Sequence, residues 1–202
     1  EAAFEVMSTP ERPVSQYSVV GSSADFDGYI SFRTKVNGKI MFGRQSIDVE
    51  GLGYCLHTFG DMGKHIKWRY AGFKDEKLCI TAMDAQFGED HLNMFVTVDD
   101  GQSLSRYKPD KVLWKELDQN TWQISAVSDE ASKTQLEMNI RLVKPRPTNK
   151  DQPYSRYSLG FITLSRTIFH EYLAEVQVTV KNPDGQIKLK SLGIATEFDL
   201  TR

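Results

Sequence analysis

The chain has 202 residues, of which 40% are hydrophobic and 26% are charged, and its formal net charge is -2. This length fits one large domain with a substantial buried core, or two small domains at most. There is no basic run, which argues against nucleic acid as a partner, and no segment reaches the roughly 18 apolar residues that span a bilayer.

Motifs that are missing from the sequence predict the compartment and the cofactor content. The N-terminal EAAFEV shows no signal-peptide pattern, so we expect a cytoplasmic protein. Cys55 and Cys79 match neither a metal spacing nor a CxxC motif, and we expect buried thiols rather than a disulfide. No His, Cys, Asp and Glu group has metal-ligand spacing, so neither a metal nor a cofactor is predicted.

The first third of the chain predicts a lead-in followed by a glycine-rich hairpin. Residues 1–23 carry two prolines and little periodicity, which predicts an extended lead-in with an edge strand at Gln16–Val20 before a single domain of residues 24–202. Tyr29–Lys35 alternates as a strand, and Asn37-Gly38 has the composition of a two-residue turn. Lys39–Phe42 and Ser46–Val49 would form the return strand, and the glycines from Gly51 onwards indicate a bulge.

The remaining residues read as further strands separated by turns. His91–Val98 shows the clearest period-two pattern, and the strongest turn signal is Asn182–Gly185. A polar, proline-rich stretch at Lys144–Ser155 is a flexible crossing, a lid or a surface connection. A short helix could form near Phe169–Leu173 or Asp129–Lys133. The other predicted strands are His65–Gly72, Lys77–Met83, Ser103–Tyr107, Val112–Glu116, Thr121–Val127, Gln135–Val143, Ser158–Ser165, Glu171–Lys181, Ile187–Leu189 and Gly193–Phe198.

About ten short strands at this spacing are typical of a β-sandwich or an up-and-down barrel. A barrel of this size has an interior just wide enough for one small ligand. Serine-hydrolase, P-loop and dinucleotide-binding motifs are missing from the sequence.

The stretch GLGYCLHTFG carries a family resemblance, through Gly51, Gly53, Tyr54, His57 and Gly60. It resembles the G-x-G-Y-x-D-H-x-W-G segment of the lipocalin-like superfamily that holds carotenoid 1,2-hydratases (hydroxyneurosporene synthases), AttH-type proteins and fungal Diels–Alderases. The flanking FRTKVNGKIMFGRQSIDVEG and HIKWRYAGF resemble that family's hairpin and its tryptophan-bearing strand. GDMGKHIKWRYAGF is also similar to a segment of the survival-factor family of lipid-carrying tandem lipocalins.

The C-terminal EVQVTVKNPDGQIKLKSLGIATEF resembles the closing hairpin of the family's second lipocalin domain, with Gly193 preceding the acidic Glu197. Two positions depart from the family pattern. Leu56 stands where the family has an aspartate, and Phe59 stands where it has a tryptophan. If that aspartate performs acid–base chemistry in the hydratases, this chain lacks it.

The resemblance implies an all-β, lipocalin-like antiparallel β-barrel with an apolar cavity. It also implies a cofactor-free cyclisation, isomerisation or hydration of a terpenoid or polyketide, as in natural-product biosynthesis. The partner would be a hydrophobic small-molecule substrate or a lipid. Two alternatives stay open: a non-catalytic lipid or pigment carrier with the same barrel, and an interaction module whose barrel is filled by its own side chains. The oligomeric state is left open.

Candidate catalytic residues are His57, Tyr54, Arg69 and Glu197. A histidine can act as general acid or base near neutral pH, or it can simply be a structural residue at the barrel mouth. Glu197 lies in an apolar strand, where a carboxylate must be paired or solvated, and Arg69 could be its partner or a ligand clamp. Candidate substrate-binding residues, each also an ordinary core filler, are Trp68, Tyr70, Phe59, Met83 and Met94.

Overall fold

The computed structural model describes residues 2–10, 15–20, 25–61, 65–88, 90–102, 104–107, 109–128, 134–146, 155–183 and 185–201. Across these ranges the chain is antiparallel β-structure, with one three-residue 3-10 helix at Pro109–Lys111. The all-β prediction is confirmed. None of the described helical turns has the length or apolarity to cross a membrane.

A smaller sheet is built around its third strand. Its strands are β1 (Ala2–Pro10), β2 (Ser15–Val20), β3 (Asp25–Phe42) and β4 (Gln45–Asp61). β4 pairs along one edge of β3, while β1 and then β2 pair along the other. The described part of the predicted lead-in therefore consists of two strands of this sheet, the second of them close to the predicted edge strand.

The predicted turn at Asn37-Gly38 is wrong. These two residues lie inside β3, opposite Glu50 and Val49. The chain reverses instead after Phe42, where Gly43 has a φ of 61°, a conformation that costs glycine little. Pairing with β1 on one side and β4 on the other outweighs a local turn signal, so Lys39–Phe42 belongs to the outgoing strand and not to the return strand.

A bulge lies beside the glycines, although its extra residue belongs to β3, where two residues stand opposite Tyr54. The register of β3 against β4 shifts between Ser31 and Thr34, opposite Cys55 and Gly53. A Cβ on Gly53 would lie 2.8 Å from the side chain of Val36, so the strands approach closely here. A glycine is the residue that permits this approach.

The larger sheet has ten strands. These are β5 (His65–Lys74), β6 (Cys79–Phe87), β7 (Asp90–Asp99), β8 (Leu104–Tyr107), β9 (Val112–Asp118), β10 (Thr121–Val127), β11 (Gln135–Leu142), β12 (Ser155–Leu159), β13 (Ile162–Asn182) and β14 (Gly185–Thr201). Their order is β8-β7-β6-β5-β14-β13-β11-β10-β9, and β12 also pairs with β13. The ladder of hydrogen bonds among these strands runs from β8 to β9 without joining the two.

The sheet curls so that both of its ends pack into one hydrophobic core. Tyr107 from β8 and Trp114 from β9 belong to the same buried cluster. Trp122, Ile124 and Ile140 are completely buried in it. The interior formed by the described strands is thus a packed core of the chain's own side chains.

Three details of this sheet differ from the predicted strands. The predicted strand Ser158–Ser165 is a hairpin, because the chain reverses at Gly160, where φ is 59°. The helix considered at Phe169–Leu173 is wrong, since these residues lie within β13. The helix considered at Asp129–Lys133 lies outside the described residues.

The closing hairpin agrees with the sequence. Asn182 pairs with Gly185, which confirms the predicted turn. The predicted strands Ile187–Leu189 and Gly193–Phe198 are parts of one continuous strand, β14, because β13 and β14 pair over their full length.

Arg33 joins the two sheets. Its guanidinium donates to the backbone oxygen of Glu76 at 2.6 Å and to Sγ of Cys79 at 3.5 Å. Both cysteines are free thiols, as expected, but Cys55 is exposed whereas Cys79 is buried. Lys74 lies directly opposite Cys79 in the β5–β6 register. Burial lowers the pKa of Lys74 from 10.5 to about 8, opposed by the charge of Cys79.

Gly193 offers a test of the core geometry. A Cβ at this position would collide with the backbone oxygen of Gly72 and lie 2.7 Å from Cγ2 of Val176. We expect Gly193→Ala to lower the free energy of unfolding by about 1–3 kcal/mol, because the strands must move apart. Gly51→Ala, at an open position, is the control in denaturant unfolding. Equal stability of the two variants would contradict the close approach.

Lys74 offers a test of the junction between the sheets. Because folding lowers its pKa, the folded chain binds this proton less tightly, and stability falls as the pH drops from 10.5 to about 8. Lys74→Met should therefore raise the free energy of unfolding at pH 7 on the order of 2 kcal/mol, and the gain should vanish towards pH 10.5. Lys77→Met, at an exposed lysine, should show no such pH dependence.

Candidate functional site

Four adjacent strands carry one polar side chain each at the same level of the sheet. His170 of β13 lies directly opposite Glu197 of β14. Glu197 lies opposite Arg69 of β5, which in turn lies opposite Asp84 of β6. We call these four residues the polar row.

The polar row faces the inside of the curled sheet. Two residues deeper along each strand, on the same face, is a row of core side chains: Tyr172, Ala195, Ala71 and Ala82. Because strand side chains alternate between the two faces, residues two apart share a face. The polar row is therefore the first level beyond the apolar core, at one end of the curled sheet.

The regular alternation of β6 places the last member of this row. Asp84 lies two residues from Ala82 and so shares its face. The register between β6 and β7 shifts here, but the extra residue belongs to β7, where two residues stand opposite Asp84. Asp84 is 9% exposed and faces Arg69, whereas Ala85 packs in a separate cluster on the other face of the sheet.

Arg69 holds two carboxylates together. Its Nε and Nη2 donate to Oδ2 of Asp84, and its Nη1 donates to Oε1 of Glu116, on β9, at 3.2 Å. The guanidinium also lies 5.0 Å from the ring centre of Trp114. The pairing thus connects strands β5 and β6 to the far edge of the curled sheet, and the indole face adds a cation–π contact.

Arg146 completes the network from the proline-rich loop. Its Nη2 donates to Oε1 of Glu197 at 2.8 Å, and its Nη1 lies 3.5 Å from Oε2 of Glu116. The side chain is only 8% exposed and lies over the ring of Trp122. The backbone N–H of Arg146 is held by Oδ1 of Asn120. Residues 147–154 of this loop lie outside the described residues.

Tyr172 makes the second contact to Glu197. Its hydroxyl donates to Oε2 at 3.1 Å. Burial raises the pKa of Tyr172 strongly, and the neighbouring Glu197 carboxylate raises it further, while Arg146 acts in the opposite direction. Tyr172 therefore stays protonated at neutral pH and is a permanent hydrogen-bond donor to the carboxylate. The ring of His170 lies 5.9 Å from that of Tyr172.

Four buried polar atoms at this end of the curled sheet have no hydrogen-bond partner within the described protein: Nε of Arg146, Nε1 of Trp114, Nε1 of Trp122 and Oδ1 of Asp84. A buried polar atom without a partner is costly and uncommon. Three of these atoms are donors and one is an acceptor. The network consequently retains hydrogen-bonding capacity that the protein itself does not use.

An open cleft of about 390 Å³ lies over the polar row. The polar row forms one part of its lining. The rest comes from the next residues of the same strands on the same face, which are Lys67, Gln86, Ile168 and Asp199, and from Trp68 and Phe198. Lys67 and Asp199 form an ion pair at 3.2 Å. The sequence predicts an apolar cavity, whereas seven of the ten residues that line this cleft are charged or polar, because the apolar level below it is filled.

The structure brings two of the predicted catalytic residues together. Arg69 and Glu197 are cross-strand neighbours in the polar row. They do not pair as the sequence suggests, since Glu197 binds Arg146 whereas Arg69 binds Asp84 and Glu116. The side chains of Tyr54 and His57 lie outside the described residues, although their backbone lies in β4.

The predicted substrate-binding residues fall mostly on the other face of the sheet. Trp68 stacks on Phe198 with ring centres 3.8 Å apart, and Met83 packs in the same outer cluster. Tyr70, two residues from Trp68, is buried on that face too. The side chains of Phe59 and Met94 lie outside the described residues.

Sequence reasoning missed five residues of the site: Asp84, Glu116, Arg146, His170 and Tyr172. The predicted alternation of Glu171–Lys181 has Ala174 on its core face, and His170, four residues earlier, shares that face, so the sequence did contain a signal for it. Asp84 is an acidic residue in an apolar strand and could have been identified as a candidate in the same way as Glu197. Arg146 has no local signal, because a loop residue acquires its partners only from the tertiary structure.

No protein-family model and no curated protein matches this chain. Among solved structures it is similar to a protein described as an AttH from Nitrosomonas europaea, with a TM-score of 0.52 and 13% identity. It is also similar to kievitone hydratase from Nectria haematococca, with a TM-score of 0.55 and 7% identity.

The alignment covers 97% of this chain in both comparisons, but only 60% and 61% of the two longer chains. The chain thus spans about three fifths of the length of these proteins. At such low identity the likeness concerns the fold. The chain therefore shares its fold with the AttH protein and with kievitone hydratase.

Proposed function

We propose that the chain is a cofactor-free, hydratase-like enzyme that acts on a hydrophobic small molecule of the terpenoid or polyketide class. The observation that carries the proposal is the polar row, in which Glu197, bound by Arg146 and Tyr172, lies directly opposite His170 in an open cleft. The fold shared with kievitone hydratase supports hydration over other reactions. Isomerisation or cyclisation would use the same groups.

Hydration of a carbon–carbon double bond requires two proton movements. One proton must reach one carbon, and water must bond to the other carbon while it releases a proton to a base. His170 can donate the first proton and Glu197 can accept the second. Arg146 and Tyr172 hold the Glu197 carboxylate in place, so its orientation is set before substrate arrives.

Arg69 suits the role of orienting the polar end of the substrate. Its guanidinium is partly exposed, at 29%, and faces the cleft between two carboxylates. The partnerless Oδ1 of Asp84 could accept a substrate hydroxyl beside it. Ile168, Trp68 and Phe198 supply the apolar part of the cleft lining for the hydrocarbon portion.

The remaining predicted site residues stay candidates. Tyr54 and His57 would add a second donor to the site, and Phe59 and Met94 would shape its apolar side. Trp68 lines the cleft as well as packing in the outer cluster, so it could contact the substrate directly. Tyr70 and Met83 would act on the substrate only from the outer cluster. We rank all of these below the polar row, because the row supplies the proton-transfer groups.

A non-catalytic carrier is the second candidate. It is favoured by the mutual pairing of Arg69, Asp84, Glu116 and Arg146, which would stabilise the end of the curled sheet without any chemistry. A carrier would bind the same class of ligand in the cleft. Its Ile168→Ala variant would lose affinity, and it would have no turnover to lose.

Substitutions in the polar row separate the two candidates. We expect His170→Asn and Glu197→Gln each to lower kcat by about 10²–10⁴-fold with little change in Kd, because each removes a proton-transfer group. Turnover would be followed with kievitone and linear terpenoid polyenes in ¹⁸O-labelled water, by the mass gain of one labelled water. His65→Asn, at an exposed histidine of β5, is the matched control.

Native mass spectrometry and organic extraction of the purified chain provide the independent readout of binding. A co-purifying hydrophobic molecule that wild-type protein leaves unchanged in labelled water would establish the carrier. Full turnover in His170→Asn and Glu197→Gln would refute the assignment of the polar row. If neither a bound molecule nor turnover is detected, the function that remains is an interaction module whose interior is filled by its own side chains.

A further inference from the structure

Arg146 binds Glu197 from a place that no described strand pairing fixes. β11 ends at Leu142, and Arg146 lies four residues further along the chain. Its side chain is 8% exposed, and its guanidinium carbon lies 5.1 Å from the ring centre of Trp122. A charge that is buried to this extent is costly unless its partners stay in place. The backbone of Arg146 therefore needs a hold from outside the strand ladder.

The sequence around Arg146 leaves one backbone donor for this purpose. Arg146 lies between Pro145 and Pro147, and a proline has no backbone N–H. The N–H of Arg146 is thus the only backbone donor of these three residues. The proline that follows also favours an extended backbone at Arg146. A single hydrogen bond to this N–H consequently fixes where the Arg146 side chain starts.

Asn120 binds this donor. Its Oδ1 accepts the N–H of Arg146 at 3.0 Å, and its backbone oxygen accepts the N–H of Leu142 at 2.8 Å, at the end of β11. Between these two bonds, the N–H of Val143 donates to the backbone oxygen of Leu173 at 2.9 Å. Asn120 therefore holds the segment after β11 at two points, and only the second of them, at Arg146, depends on its side chain.

Asn120 is itself held in the hairpin turn between β9 and β10. This turn consists of Gln119 and Asn120, and the flanking Asp118 and Thr121 are paired. The N–H of Asn120 donates to Oδ1 of Asp118 at 2.7 Å, and this bond lowers the pKa of the Asp118 carboxyl. An aspartate side chain that accepts a backbone N–H two residues on is a common way to fix a turn. The turn thus presents the Asn120 amide oxygen from a fixed place.

We propose that Asn120 is a positioning residue of the candidate site. It fixes the guanidinium of Arg146, whose Nη2 donates to Oε1 of Glu197 at 2.8 Å, and through it the Glu197 carboxylate. A misplacement of about 1 Å can cost about 10²-fold in rate, so a residue that sets this geometry affects catalysis without touching the substrate. The effect on catalysis rests on the proposed function, whereas the hold on Arg146 does not.

NMR spectroscopy tests the hold on Arg146 without any substrate. Asn120→Gly removes the acceptor, and glycine tolerates the backbone conformation of any turn position. We expect the amide proton of Arg146 to exchange about three- to tenfold faster, because its hydrogen bond is lost. The indole N–H resonance of Trp122 should shift as well, because the guanidinium over the ring moves. Asn120→Asp keeps an acceptor oxygen at this place and should restore both readouts.

Gln119→Gly is the matched control. Gln119 is the exposed neighbour of Asn120 in the same turn, so its substitution adds similar backbone freedom and keeps the Asn120 oxygen. The exchange of Arg146 and the resonance of Trp122 should stay as in the wild type. Equal changes in Gln119→Gly and Asn120→Gly would overturn the inference, because the stiffness of the turn would then matter and the amide oxygen would not. Unchanged exchange of Arg146 in Asn120→Gly would overturn it too.

Turnover tests the consequence for Glu197. Asn120→Gly should lower kcat about ten- to a hundredfold with little change in KM, because Glu197 is misplaced and not removed. Arg146→Gln should lower kcat at least as much. Adding Asn120→Gly to Arg146→Gln should cost nothing further, since Asn120 acts only through Arg146. A further loss in the double variant, or full turnover in Asn120→Gly, would contradict the positioning role.

The positioning role and the proposed hydration fail in different ways. Faster exchange of Arg146 in Asn120→Gly, in a protein that hydrates none of the substrates, would support the positioning role and refute the hydration. Loss of turnover in Glu197→Gln together with full turnover in Asn120→Gly would refute the positioning role and support the hydration.

Discussion

The cross-strand register of β13, β14, β5 and β6 is the constraint on which the rest of the structure depends. It aligns His170, Glu197, Arg69 and Asp84 in one row and places the small or apolar residues of the core one level deeper. A slip of one residue would exchange the two faces of a strand. In β14 it would turn the Glu197 side outwards and bring Phe198 inwards, which would remove both the core and the site.

The ion pairs of the site fix the positions of its charged side chains and contribute little to the stability of the fold. Arg69 and Arg146 each lie over an indole ring and between carboxylates, with Arg146 buried and Arg69 partly exposed to the cleft. Buried ion pairs of this kind contribute little net stability, since desolvation offsets their attraction. The pair with Arg146 fixes the orientation of Glu197, and the Glu197 carboxylate and burial together raise the pKa of Tyr172. Such preorganisation is what proton-transfer chemistry requires of a protein.

Much of the fold could be predicted because period-two patterns are local. The strands, the bulge near Gly53 and the turn at Asn182–Gly185 follow from residues that are close in sequence. The turn predicted at Asn37-Gly38 failed because pairing on both sides of β3 outweighs a two-residue preference. The helix considered at Phe169–Leu173 is wrong for a similar reason, since β13 is paired with β14 over its whole length. A helix at this place would not have put His170 opposite Glu197.

The sequence by itself determined the all-β class, the family resemblance and two members of the polar row, Arg69 and Glu197, because a charged residue in an apolar strand stands out locally. Only the tertiary structure decided what they contact. Arg146 comes from a loop 51 residues away from its partner Glu197. Strand order brings such groups together, and strand order depends on long-range packing that no short stretch of sequence encodes.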